Sequence, residues 1–258
     1  FMGVPTFYTR LLASPNFNKG VCRSIRLFIS GSAPLLFETF SEFKERTNHS
    51  ILERYGMTEA GMITSNPYKL SQRIPNTVGY TLPGISARIS DTKGKKLSPG
   101  EIGVLEISGP NVFTGYWQMQ EKTAEEFRED GYFITGDMAT MERDGRISIV
   151  GRLKDLVISG GYNVYPKEIE LIIDKLFGVK ESTVIGVPHP DFGEAVVAVV
   201  VEDDGENISE ASIKSQLVNT LAKFKHPKKI FYTKALPRNT MGKVQKNLLR
   251  EIYAETFK

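Results

Sequence analysis

The sequence predicts an α/β protein in two parts, the first over residues 1–151 and a smaller α+β unit over 152–258. Three observations carry that expectation. Short strand-like runs alternate with helical stripes through the first 150 residues. "GRLKD" (151–155) then interrupts the pattern. Beyond it, about a hundred residues carry apolar faces of their own, an ordinary size for a small domain.

Taken in order, "SIRLFIS" (24–30) alternates like a strand and runs into the small-residue turn "GSAP". "LLFETFSEFKERT" follows, its Leu36, Phe37, Phe40 and Phe43 spaced as one helical stripe. "EIGVLEIS" (101–108) reads as a strand, and 138–142 with 146–150 as a hairpin through Asp144-Gly145. In the second part Pro166 opens a helix that "KEIELIIDKL" continues. "STVIGV" and "EAVVAVVVED" read as strands, "SEASIKSQLVNTLAKF" as a helix, "KKIFYTK" as a strand and 244–257 as a last helix.

Composition excludes several classes. The chain has 258 residues, 40% hydrophobic and 24% charged, enough for a sizeable core. No apolar run approaches the roughly 18 to 20 residues of a membrane span. The single cysteine, Cys22, rules out an internal disulfide, and three scattered histidines offer no zinc-like cluster. A net charge of +3 gives no argument for a nucleic-acid partner. The opening "FMGVPTFYTRLL" begins mid-element without an initiator Met, so the expectation is a fragment whose true start is missing.

Four stretches concentrate chemistry-bearing residues. In "LERYGMTEAG" (52–61), the Tyr55 ring can stack on a planar base and Gly56 permits close backbone approach. Thr58 offers a hydroxyl to a phosphate, and Glu59 offers hard oxygens of the kind Mg²⁺ prefers. A strand-end turn with a helix cap would explain the same residues. In "YFITGD" (132–137), Asp137 could accept two hydroxyl hydrogen bonds or make an Asx turn. In "GRLKDLVISGGYNVYPKEIE" (151–170), Arg152 is a fixed-charge fork, and Gly160-Gly161 either line a channel or make a turn. In "LPRNTMGKVQKNLLR" (236–250), Lys243 follows Gly242 on an exposed loop, with Lys225, Lys228, Lys229 and Lys246 read as ordinary solvated lysines.

Together and in this order, "SGSAPL", "ERYGMTE", "YFITGD", "GRLKDLVISGGYNVYPKEIE" and "PRNTMGKVQK" resemble the adenylate-forming superfamily of acyl-CoA synthetases, luciferases and peptide-synthetase adenylation domains. Within it, "MGVPTFYTRLL", "ERYGMTEAGMITSNPY" and "GYNVYPKEIE" look most like malonyl-CoA synthetases. The resemblance implies the C-terminal part of a large α/β adenylating domain followed by a small mobile domain. It implies an acid–CoA ligase using ATP, Mg²⁺ and CoA, with malonate as the acid; the alternatives are a ligase for another short or aromatic acid, or a non-catalytic fragment that binds nucleotide. Carried over, Tyr55 and Gly56 would lie along adenine, Thr58 would contact phosphate and Glu59 would hold Mg²⁺. Asp137 would take the ribose hydroxyls with Arg152 assisting, and Lys243 would bridge the acid and the α-phosphate.

Lys154 matches the hinge position, where many members carry Asp. Gly160 and Gly161 would wall the pantetheine tunnel after domain rotation. Arg10 would pair with the far carboxylate of malonate, since a buried unpaired carboxylate is costly, and Ser32 and Met62 would shape a small acyl pocket. A surface Arg starting a helix is the other reading of Arg10. "KFKHPKK" (223–229) could meet a CoA phosphate or simply be a solvated face. The family's Ser/Thr/Gly-rich phosphate loop is not found, and no GxxxxGK[ST] loop replaces it, so the expectation for this chain alone is little or no turnover. Partners are expected to be small molecules, without nucleic acid, membrane span or a carrier-protein domain. The expected compartment is the cytoplasm, with mitochondria or another organelle as the alternative.

Overall fold

A valine-rich run that is apolar at every position, "AVVAVVV" (195–201), belongs in a strand buried on both faces, and the structure puts it there. The computed structural model describes residues 1–203, 205–240 and 242–258. The chain divides into two units, Phe1–Ile149 and Val150–Lys258. No helix among the described residues is long and apolar enough to cross a membrane.

The first unit contains a five-stranded sheet in the order Met2–Gly3, Ile29–Ser30, Leu52–Met57, Gly61–Ser65, Tyr80–Thr81. Its first three strands are parallel and the remaining pairings antiparallel. Helix Pro5–Leu12 starts on a proline and helix Phe37–Thr47 ends on Asn48 in the left-handed conformation (φ 62°). These helices enclose an aromatic cluster of Tyr8, Phe17, Phe28, Phe40 and Phe43, with Leu12 and the buried thiol of Cys22. Tyr8 and Phe43 meet edge to face at 5.4 Å, and the Tyr8 hydroxyl donates to the Ile29 carbonyl at 2.5 Å.

A second sheet orders Ser86–Ser90, Gly103–Ser108, Phe133–Met141 and Ile147–Arg152, and a separate cluster around Leu105, Ile107 and Phe133 packs with it. Its last turn, through Asp144-Gly145 with Gly145 at φ 86°, is the hairpin expected from the sequence.

In the second unit, strand Gly193–Glu202 pairs antiparallel with Val179–His189 and parallel with Lys229–Tyr232. Hairpin Val157–Ser159/Tyr162–Val164 joins its beginning through Ser159 and Gly193. Val196, Ala198 and Val200 face one core, shared with helices Pro166–Ile173 and Glu210–Val218. Val197, Val199 and Val201 face the other, closed by Leu236 and by Leu249 of helix Lys246–Ile252. Ser209 caps its helix by accepting the Ser212 N–H at 3.1 Å.

Local expectations change at four places, one being the helix expected over "SEASIKSQLVNTLAKF", which covers only Glu210–Val218. The strand expected at 24–30 narrows to Ile29–Ser30, because only those residues find partners on both sides. Leu36 is the N-cap and Phe37 is exposed, so the buried stripe of that helix is Thr39, Phe40, Phe43 and Thr47. The last helix covers Lys246–Ile252 rather than 244–257. Val244 bridges to Arg238, the Gln245 N–H donates to Pro237, and Tyr253 stacks on Phe231 at 4.3 Å.

Candidate active site

In the first unit, residues 55–59 run through the end of one strand and the turn into the next. Strands Leu52–Met57 and Gly61–Ser65 form a hairpin in which Tyr55 pairs with Thr64 and Gly56 with Met62, with a register shift between them. A Cβ on Gly56 would stand 2.2 Å from the Gly61 carbonyl oxygen. The glycine is therefore required by the hairpin itself, whose strands approach too closely for any side chain. Thr58 is exposed at the tip. The tip is tied to the 109–116 segment by Phe113 N–H to the Glu59 carbonyl and Asn111 Nδ2 to the Ala60 carbonyl, both 2.7 Å.

The Glu59 carboxylate accepts the Tyr116 hydroxyl at 3.1 Å. That phenol also reaches Glu126 at 2.7 Å, and Lys122 donates to the other Glu126 oxygen at 2.7 Å. Burial and the two carboxylates push the Tyr116 hydroxyl well above its ordinary range, so it stays a donor. The described residues hold no group of three or more His, Cys, Asp or Glu suited to a metal. One hard carboxylate at an accessible tip does fit Mg²⁺ shared with substrate phosphates, which needs few protein ligands.

Asp137 does not follow a turn, as its sequence suggested. It lies inside strand Phe133–Met141, where Val104 pairs with Met138 but Glu106 with Ile134, so residues 135–137 bulge from the ladder. Gly136, at φ 70°, supplies the left-handed residue that the bulge needs. The Thr135 hydroxyl donates to the Leu105 carbonyl at 2.8 Å and accepts the Asp137 N–H at 3.1 Å. The carboxylate, 3% exposed, accepts the Tyr55 hydroxyl at 2.5 Å. The structure thus joins Tyr55 to Asp137, 82 positions apart.

Arg10 sits in the last turn of helix Pro5–Leu12 rather than at a helix start, and it is exposed. Ser32 is exposed with φ 67° in the loop after Ile29–Ser30, and Met62 is 39% exposed on its strand. No hydrogen bond or ion pair joins these three side chains to one another among the described residues.

In the second unit, Arg152 is exposed at the end of strand Ile147–Arg152 and Lys154 is exposed in the short 3₁₀ turn Leu153–Asp155. Arg250 holds that turn through Asp155 at 2.7 Å. Gly160 and Gly161, at φ 58° and 82°, are the two central residues of a tight hairpin in which Ser159 pairs with Tyr162. Lys243 is exposed on a loop closed by Arg238–Val244 pairing, with Asn239 Oδ1 accepting its N–H at 2.9 Å. Met241 of that stretch lies outside the described residues.

Two lysines read as solvated are paired. Lys225 donates to Glu168 at 2.6 and 2.8 Å. Lys246 donates to the buried Glu170 at 2.6 Å and to the Val184 carbonyl at 3.1 Å. The signal missed was a Glu within the stripe Pro166, Ile169, Ile173, since a carboxylate there needs a cation.

Known proteins bear on this geometry. The family description "AMP-binding enzyme" matches residues 1–117, and "AMP-binding enzyme C-terminal domain" matches 168–243. The mitochondrial malonate–CoA ligase of Homo sapiens is 36% identical over 281 residues, spanning 96% of this chain and 49% of the relative. A feruloyl-CoA synthase of Amycolatopsis sp is 38% identical over 250 residues, spanning 96% and 50%. The crystal structure of ATP-bound MatB from Rhodopseudomonas palustris superposes with a TM-score of 0.96 at 59% identity, over 100% of this chain and 51% of that one. The chain spans about half the length of the curated relatives it matches. With both descriptions matched in order and the mixed α/β fold shared, the chain belongs to the AMP-binding, adenylate-forming enzymes.

Proposed function

We propose that the complete protein containing this chain is an AMP-forming malonate–CoA ligase, with 1–151 the C-terminal part of its AMP-binding domain and 152–258 its small C-terminal domain. A carboxylate oxygen of malonate attacks the α-phosphorus of ATP and expels pyrophosphate. The CoA sulfur then attacks the acyl carbon of the mixed anhydride, loses its proton to solvent and expels AMP. The observation that carries this reading is the bonded Tyr55–Asp137 pair, which sets an aromatic face beside a diol-accepting carboxylate.

Tyr55 and Gly56 flank adenine, Asp137 and Arg152 take the ribose, and Thr58 contacts phosphate. Glu59 would hold Mg²⁺, which supplies charge neutralisation to the phosphates. Lys243 stabilises the crowded anionic transition state of adenylate formation. Lys154 is the hinge, and the side-chain-free tip at Gly160 and Gly161 walls the pantetheine path. Malonate is favoured over other acids because Arg10 presents a guanidinium with no carboxylate partner among the described residues, beside the likeness to malonate–CoA ligases. Ser32 and Met62 complete the acyl pocket.

Malonate-dependent exchange of pyrophosphate into ATP tests this, with acetate, methylmalonate and ferulate as comparison acids. Robust exchange with malonate alone is expected of the complete protein and little from the 258-residue chain. Arg10→Ala should lower malonate exchange at least tenfold more than acetate exchange. Equal losses would remove the proposed pairing, and preference for ferulate would reassign the acid.

A further inference from the structure

The loop that carries Lys243 is fastened to the sheet at both ends by charge. On the entering side, Arg238 forms an ion pair with Glu181 and donates to the Gly242 carbonyl at 2.7 Å. On the leaving side, the Gln245 N–H closes the loop onto the Pro237 carbonyl at 2.9 Å, and the next residue is Lys246. Its ammonium enters the protein, donating to Glu170 at 2.6 Å and to Val184 at 3.1 Å. Glu181 and Val184 lie three residues apart on the one strand Val179–His189.

Glu170 is built for this contact. It is 6% exposed, accepts the Val184 N–H at 2.9 Å and the Thr183 hydroxyl at 3.3 Å, and lies 3.8 Å from Lys167. Burial alone would push its carboxyl up, but Lys246 and Lys167 hold it below the ordinary range, so Glu170 is a carboxylate. The helix that carries Glu170 begins two residues after the Gly160-Gly161 hairpin ends. One buried pair therefore joins the two segments of this unit to which the proposed reaction assigns different half-reactions.

We infer that Lys246 and Glu170 are positioning residues: their buried ion pair fixes the loop that presents Lys243, and through it the rate of adenylate formation. The inference rests on the adenylating role proposed for Lys243. Lys246→Met leaves the buried Glu170 with only the more distant Lys167 as a cation, so the variant Glu170→Gln/Lys246→Met, which removes both charges while keeping an acceptor for the Val184 N–H, guards against failure to fold.

The test combines two readouts on the complete protein. Amide hydrogen exchange at Gly242 and Lys243 should accelerate at least tenfold in both variants, while amides of the Val179–His189/Gly193–Glu202 hairpin change less than twofold in the double variant. The kcat of malonate-dependent pyrophosphate exchange should fall at least tenfold with KM for ATP within twofold. Thioester formation from supplied malonyl-adenylate should stay within twofold, and Lys246→Arg should recover most of the loss. Unchanged exchange at Gly242 and Lys243, or equal losses in both half-reactions, would overturn the positioning role. Accelerated amide exchange in a protein whose wild type activates no acid would leave the clamp standing and remove the proposed ligase activity instead.

Discussion

The hairpin that carries Tyr55 to Glu59 and the loop that carries Lys243 are braced by opposite means. The first is held by shape and hydrogen bonds at close range: backbone packed against Gly56, carbonyls of Glu59 and Ala60 tied to the 109–116 segment, and a phenol on a buried carboxylate. The second is held by ion pairs, one exposed at Arg238–Glu181 and one buried at Lys246–Glu170. The cores beneath them differ likewise, a mixed cluster of Ile63, Leu105, Ile107 and Phe133 in one unit and interleaved valines in the other. A backbone held by shape has no tolerance for an added atom. A backbone held by charge tolerates the atom but not the loss of one partner.

Gly56→Ala tests the first half of that contrast and should show the largest stability effect. The new methyl would stand 2.2 Å from the Gly61 carbonyl oxygen and 3.1 Å from Met62 Cα, both backbone, so the first unit should lose about 3 kcal/mol in urea unfolding. A loss below about 1 kcal/mol would mean that the hairpin opens without cost and that its bracing lies elsewhere.

A titration sharpens the same point. Glu53, one strand position beyond Leu52, is buried facing the backbone N–H groups of Leu35 and Asn76, and its Oε1 has no hydrogen-bond partner among the described residues. Burial pushes its carboxyl up to about 8. The folded state thus keeps a proton that the unfolded chain releases near its ordinary value. The stability it contributes is complete below that value and is lost as pH rises towards 8. Between about pH 5 and about pH 7 the wild type should lose up to roughly 1.4 kcal/mol per pH unit relative to Glu53→Gln. Parallel stability curves for the two proteins would show that Glu53 is ionised in the fold.

Arg238→Ala is the smallest of the three. Its ion pair is about one-third exposed on each side, so unfolding of the second unit should shift by roughly 1 kcal/mol or less. A loss of about 3 kcal/mol would place the main anchor of the Lys243 loop on the exposed side rather than at Lys246.

Much of this architecture is written plainly in the residues, and the exceptions share a cause. Asp144-Gly145 and Gly160-Gly161 announce tight hairpins because positive φ at a strand end has few other uses. The same signal at Gly136 makes a bulge, since sequence reports that a left-handed residue is needed but not whether the chain reverses there. Tyr55 and Asp137 each stand out in the sequence by their chemistry, whereas their bond depends on the register of two different sheets. Lys246 was misread because its partner sits 76 positions away, and a lysine's burial is decided by what waits for its ammonium.

The thiol of Cys22 is buried in the aromatic cluster, and burial raises it above its ordinary range. The sequence has no other cysteine, and the second unit has none at all. A thiol reagent therefore finds nothing to modify until the first unit opens, whatever the second is doing. The molecule carries its own stopwatch: the labelling rate of one sulfur reports the opening of the first unit alone, without adding a probe.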